Sequence, residues 1–169
     1  WINMTTAVLL GLSLVFEPKA PHLMHRPPRD PTEPLLTRSL VWRTIMVSLF
    51  MTVGAFALFL SELHSKGETL DEARTTVVNV IVMVELFYLY NCRSLTRSAF
   101  SIGWFTNPAV LIGTSLMIAV QMLFTYAPFM NRLFHTAPIG FTSWLYIITV
   151  GLIIFFAVEL RKRQSRRSP

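Results

Sequence analysis

The chain has 169 residues, 53% of them hydrophobic and only 14% charged, with a net charge of +6 at pH 7. A soluble domain carries about 25% charged residues, so this composition excludes an ordinary globular protein and points to the membrane. The basic residues lie between and after apolar runs and form no stripe interleaved with aromatics, which argues against nucleic acid and leaves lipid headgroups as the anionic neighbours.

Residues 1–16 (WINMTTAVLLGLSLVF) are apolar but about a turn short of a crossing, which takes about 20 residues. The run opens on Trp1 with neither an initiator Met nor a signal peptide, so the expectation is the end of a first span in the carboxy-terminal piece of a longer protein. Asn3 and Thr6 are three apart and share one helix face, and Ser13 returns to nearly the same side. Inside a bilayer such a stripe either bonds neighbouring helices, its commoner use, or supplies oxygen ligands to a passing cation.

Residues 17–38 hold Pro18, Pro21, Pro27, Pro28, Pro31 and Pro34. Proline at this density removes backbone donors and pushes each preceding residue out of helical geometry, which predicts an ordered or extended loop outside the membrane. His22 and His25 lie in it with no third ligand beside them, too few for a metal site. The second span is residues 39–60, with Arg43 near its start, where a long side chain can snorkel to headgroups. A polar, mostly acidic connection follows.

Residues 75–92 (TTVVNVIVMVELFYLYNC) form the third span, about 27 Å long at a helical rise of about 1.5 Å per residue. They carry one carboxylate, Glu85. An ionised side chain at that depth costs about 3 kcal/mol, so it is kept chiefly where it meets a partner, a proton or an ion. A carboxyl held neutral or hydrogen-bonded for packing is the alternative. Cys92, the one cysteine, allows no internal disulfide and no cysteine-based metal site, and is expected as a small buried residue at a helix end.

The chain then returns to an interface, with Trp104 and Phe105 as anchors and Asn107-Pro108 opening the next helix. In the fourth span, residues 109–126, Thr114, Gln121 and Thr125 recur on one face turned into the bundle, where interhelical bonding is preferred to ligation for Gln121. The fifth span is residues 141–160, and residues 161–169 are a basic tail read as a topology anchor. The fold class is therefore all-α, a polytopic transmembrane helical bundle of about five spans. With the start of the chain outside, Lys19, Arg26, Arg29, Arg38, Arg43, Arg93, Arg97, Arg161, Lys162, Arg163, Arg166 and Arg167 fall inside, and only Lys66, Arg74 and Arg132 outside. That bias places the Pro-rich loop and the carboxy terminus in the cytoplasm of an integral membrane protein, with the plasma membrane expected.

The order WINMTTAVLLGLSLVFEP followed by MHRPPRDPTEPLL resembles the sixth transmembrane helix and following cytosolic loop of cation-transporting P-type ATPases, the group containing the sarcoplasmic reticulum calcium pump and the sodium pump. VELFYLYN is similar to the eighth helix of that family, NP to the start of the ninth, and VELRKR to the end of the tenth. By this resemblance the chain would be helices six to ten. Asn3, Thr6 and Glu85 match family positions that supply cation ligands, and Arg26, Arg29 and Asp30 lie in the loop that contacts the phosphorylation domain, which makes them coupling residues. The aspartate that follows the threonine in the calcium and sodium pumps is Ala7 here, and the loss of a charged oxygen weakens a hard divalent site. Sodium, potassium, protons or another cation stay open.

No phosphorylation motif of the DKTGT type, nucleotide-binding motif, P-loop or catalytic triad occurs, so no residue is assigned as catalytic. The fragment itself is expected to hydrolyse no ATP and to hold no cofactor. The resemblance implies ATP and Mg²⁺ for the parent protein, and as partners the transported cation, the bilayer, and the parent's amino-terminal helices and cytosolic domains. Two rivals stand beside this reading: a pump-like scaffold that has lost ion binding, kept open by Ala7, and a fragment of a channel or secondary transporter, which leaves the RPPRDPTEPLL loop unexplained.

Overall fold

The computed structural model describes residues 1–19, 28, 34, 36–64 and 69–165. Every regular element among them is helical, and four helices are long and apolar enough to cross a membrane, with a shorter apolar one before them. The chain is a transmembrane helical bundle of about five spans.

The short helix α1 (Ile2–Phe16) is irregular: an ordinary turn over Ile2–Thr6 widens into a π-turn over Ala7–Gly11 and tightens to 3₁₀ geometry over Leu12–Phe16. Next come α2 (Arg38–His64) and α3 (Leu70–Cys92). Both run past the apolar stretches read from sequence. For α3 the reason is local: the Thr69 hydroxyl accepts from the Glu72 amide while the Glu72 carboxylate accepts from the Thr69 amide at 2.5 Å, a capping box that starts the helix one turn before the membrane-depth residues.

Two short helices, α4 (Ala99–Ile102) and α6 (Pro128–Phe134), lie in the connections around α5 (Pro108–Tyr126). α5 begins where the sequence indicates, with Asn107 accepting from the amides of Ala109 and Val110 and Pro108 in the first turn. The last helix, α7 (Phe141–Ser165), continues through the first basic residues of the tail.

α3 is the axis of the bundle. On one side it packs against α2 and α7 around Val47, Val80, Val84, Ile147, Ile154 and Val158; on the other, Leu10 of α1 and Val110 and Met117 of α5 close over Val82 and Leu89. Glycine sets the closest approaches. A Cβ at Gly113 would run into the Leu9 carbonyl oxygen and the Ser13 side chain, and one at Gly151 would sit 2.6 Å from the Phe87 ring. In lipid, small residues at crossings replace the hydrophobic drive that water would supply. α2 is the least buried of the long helices, exposing Trp42, Leu49, Val53 and Phe56 on a face that no described element covers.

Candidate cation site

Glu85 projects from α3 towards α1. Its side-chain neighbour there is Thr6, whose hydroxyl has a single proton to share between the Ile2 carbonyl, to which it donates at 3.0 Å, and the Glu85 carboxyl beside it. Whichever oxygen that proton serves, Glu85 Oε2 is buried and accepts no hydrogen bond among the described residues. An uncovered carboxylate oxygen at membrane depth is costly, and the chemistry that relieves it is a proton or a cation. The π-turn begins at the very next residue, Ala7, so the backbone loosens beside the pair. Such turns interrupt helices frequently at functional positions.

Asn3 is placed differently from the expectation of a shared face. Thr6, Leu10 and Ser13 are the buried positions of α1, whereas Asn3 is exposed. Within the ordinary turn over Ile2–Thr6, at about 100° per residue, Asn3 stands about 60° from Thr6. Asn3 and Ala7 instead border the outer face of α1, with Met4, Val8 and Leu12, which no described element covers. Ser13 turns back on its own helix, donating to the Leu10 carbonyl at 2.6 Å, as Thr6 does to that of Ile2. Among the described residues no three His, Cys, Asp or Glu side chains come together as a metal site. What this chain brings together here is a carboxyl and a hydroxyl, with the Asn3 amide on the exposed face of α1. Arg26, Arg29 and Asp30, like His22 and His25, lie outside the described residues.

The second polar region, between α3 and α5, is closed. Asn79 donates to the Thr75 carbonyl (2.9 Å) and to Thr125 Oγ1 (3.1 Å) and accepts from Gln121 Nε2 (3.1 Å), while Gln121 Oε1 accepts from the Trp1 indole (3.3 Å). Thr114, Gln121 and Thr125 are all buried, and Gln121 is bonded between helices at both ends of its amide. A network with its donors and acceptors matched has no vacancy for an ion.

Sequence reasoning missed two further clusters at the opposite end of α3. Arg93 donates to both oxygens of Glu17 at 2.9 and 3.0 Å, to the Gly103 carbonyl at 2.7 Å and to Thr106 Oγ1 at 2.5 Å, and Asn107 Nδ2 donates to Glu17 at 2.8 Å. This clamp joins the end of α1 to the end of α3 and the start of α5. Beside it, Glu159 of α7 accepts from Ser98 Oγ (2.6 Å), Asn91 Nδ2 (2.8 Å), Lys162 Nζ (3.0 Å) and the Ala99 amide (3.3 Å). Lys162, read as part of a basic tail serving as a topology anchor, is buried in that ion pair. Arg43 does not snorkel either: it turns inward, with Nε donating to the Tyr88 hydroxyl at 3.0 Å and the guanidinium 5.1 Å from the Tyr88 ring centre. The available signal was an acid in an apolar run followed by Lys three residues on, in VELRK.

The family model described as "Cation transporting ATPase, C-terminus" matches residues 1–164. The chain is 50% identical over 158 residues to "Probable cation-transporting ATPase F" of Mycobacterium tuberculosis, an alignment covering 94% of this chain and 17% of that protein. It is 34% identical over 152 residues to "Cation-transporting ATPase pma1" of Synechocystis (85% of this chain, 16% of that protein) and 29% identical over 167 residues to "Calcium-transporting ATPase 1" of Saccharomyces cerevisiae (99% and 18%). The chain thus spans about a sixth of the length of the curated relatives it matches.

Proposed function

We propose that this chain, which belongs to the cation-transporting ATPase family as its carboxy-terminal membrane region, supplies part of the ion-binding site of an ATP-driven cation pump and the scaffold that holds it. The observation that carries this reading is the uncovered, buried Oε2 of Glu85 beside Thr6. Asn3, at the open edge of the same site, completes this chain's share once helices from the rest of the pump cover the outer face of α1. Glu85 and Thr6 give the cation one charge and two kinds of oxygen. Ala7 adds none, so the set favours a monovalent cation or a proton over calcium, which takes six to eight oxygens.

ATP and Mg²⁺ act on cytosolic domains outside this chain, and Arg26, Arg29 and Asp30 of the Pro-rich loop relay the movement. That loop and the basic tail lie in the cytoplasm, with the pump in the plasma membrane. The phosphorylated and unphosphorylated states must differ in affinity for the cation, because a ligand shifts an equilibrium only through differential binding.

The test is the ATPase activity of the full-length protein across a panel of cations. Glu85→Gln is expected to lower the apparent affinity for the activating cation by tenfold or more in a normally expressed protein. Unchanged ion dependence would reduce Glu85 to a packing residue and favour the scaffold reading. Ala7→Asp is expected to bring in or strengthen a divalent response, and indifference to both substitutions would remove the cation site from the account.

A further inference from the structure

Where α2 starts and α3 and α7 end, a cavity of about 280 Å³ opens between the helices. Its walls carry three cationic side chains, Arg43, Arg161 and Lys162, the hydroxyls of Thr37 and Ser39, and the apolar side chain of Leu40. The charges around it do not balance. Glu159, the nearest acid on these elements, is already covered by four donors, Lys162 among them. Arg43 and Arg161 have no carboxylate partner among the described residues: Arg43 reaches Tyr88 Oη, the Asn91 carbonyl (3.5 Å) and Cys92 Sγ (3.4 Å), and Arg161 reaches only the Met46 sulfur at 3.9 Å.

Arg43 is 7% exposed, and a buried guanidinium met only by neutral acceptors leaves most of its charge uncompensated. The missing counter-charge belongs in the cavity that both arginines line. Its position says which anion. The cavity lies at the boundary between the apolar helices and the basic ends, and Trp42, Ile45 and Leu49 continue from it along the exposed face of α2, a track for acyl chains. Its volume is about nine times the roughly 30 Å³ of a water molecule, room for a phosphodiester with part of its glycerol. The start of α2 forms part of the same wall, with the Leu40 amide capped by Thr37 Oγ1 at 3.3 Å.

We propose that this cavity is a site for the phosphate headgroup of an anionic phospholipid, held by Arg43 and Arg161 with its tails along α2. The site is separate from Glu85 and stands whether or not Glu85 binds an ion. Basic pockets between membrane helices take such headgroups for the electrostatic reasons that draw polybasic segments to anionic leaflets.

The experiment uses the full-length protein in nanodiscs of phosphatidylcholine with or without phosphatidylglycerol, reading tightly retained lipid by native mass spectrometry and the unfolding midpoint in parallel. The wild type is expected to retain phosphatidylglycerol in preference to phosphatidylcholine and to unfold at a higher temperature with it. Arg161→Gln and Ser39→Asp should each reduce that retention about fivefold, the factor one cation near an anionic surface is worth. Ser39→Asp keeps the test alive should an arginine variant fail to fold, since an acid in the first turn of a helix favours the helix. Equal retention of the two lipids, unchanged retention in Ser39→Asp, or millimolar inorganic phosphate replacing the lipid's effect would each overturn the proposal.

Discussion

Glu85 and Glu159 are both carboxylates on membrane-spanning helices, and their surroundings are opposite. Glu159 receives four hydrogen bonds from three parts of the chain and pairs with Lys162. Glu85 has Thr6 for a side-chain neighbour and one oxygen left uncovered. A buried carboxylate met by four donors is held in the structure by them; a buried carboxyl oxygen that accepts no hydrogen bond among the described residues can still take a proton or a cation. Glu85 lies in the middle of its span and Glu159 at the end of its own, beside the basic residues, and the donors around them differ with that position.

If that contrast is right, the largest loss of stability comes from the saturated acid. Glu159→Ala strands Lys162 and Asn91 in the interior and is expected to cost about 3–5 kcal/mol, the penalty for breaking a buried pair by removing one partner. Thermal unfolding of the purified protein in detergent reads it. Replacing the pair together, Glu159→Leu with Lys162→Met, should recover the part of that loss that comes from the unpaired lysine charge, while Asn91, Ser98 and Ala99 stay without their acceptor. A double variant as unstable as the single one would show that Ser98 and Ala99 need the carboxylate for themselves.

Next in size is the clamp at the end of α1. Arg93→Ala leaves Glu17 with Asn107 alone among the described residues and is expected to cost about 3 kcal/mol, a low value for a buried pair because Glu17 is partly exposed. It should also free the end of α1, seen as faster amide exchange over Leu12–Phe16 than over α3. Smaller again is the closed amide network. Asn79→Ala should cost about 0.6 kcal/mol and no more than about 1.7, the range of interhelical hydrogen bonds in lipid. A larger loss would mean that Asn79 positions α5, beyond filling its own hydrogen bonds.

How far this could be read from residues alone follows from the same comparison. The spans were legible because a bilayer demands long apolar runs, and Asn107-Pro108 marked a helix start because capping is local. Glu85 stood out for the reason that makes it costly, an acid among apolar neighbours. Its lack of donors did not, since hydrogen-bond partners come from other helices: Glu159 and Asn91 are 68 positions apart, Glu17 and Arg93 are 76. Arg43 and Lys162 were misplaced on the same account. A basic residue near a span end looks like a headgroup anchor until the acceptors that turn it inward are seen. The exposure of Asn3 was not legible either, because an offset of about 60° from Thr6 is enough to move a side chain from the buried face to the open one.

The smallest effect on stability belongs to Glu85→Gln, and it sharpens the comparison most. The substitution removes a charge whose Oε2 nothing in the described structure satisfies, so no donor is stranded and no partner charge is left behind. Burial of the ionised form costs up to about 3 kcal/mol at membrane depth, and a neutral amide escapes that cost. The unfolding midpoint of Glu85→Gln is therefore expected to equal or exceed that of the wild type in ion-free buffer, in the same preparation that loses its ion response. Adding the activating cation should then raise the wild-type midpoint and leave that of the variant unmoved, since only a state that binds the ion is stabilised by it. A fall in stability as large as that of Glu159→Ala would place the two acids in one class and undo the distinction on which the cation site rests.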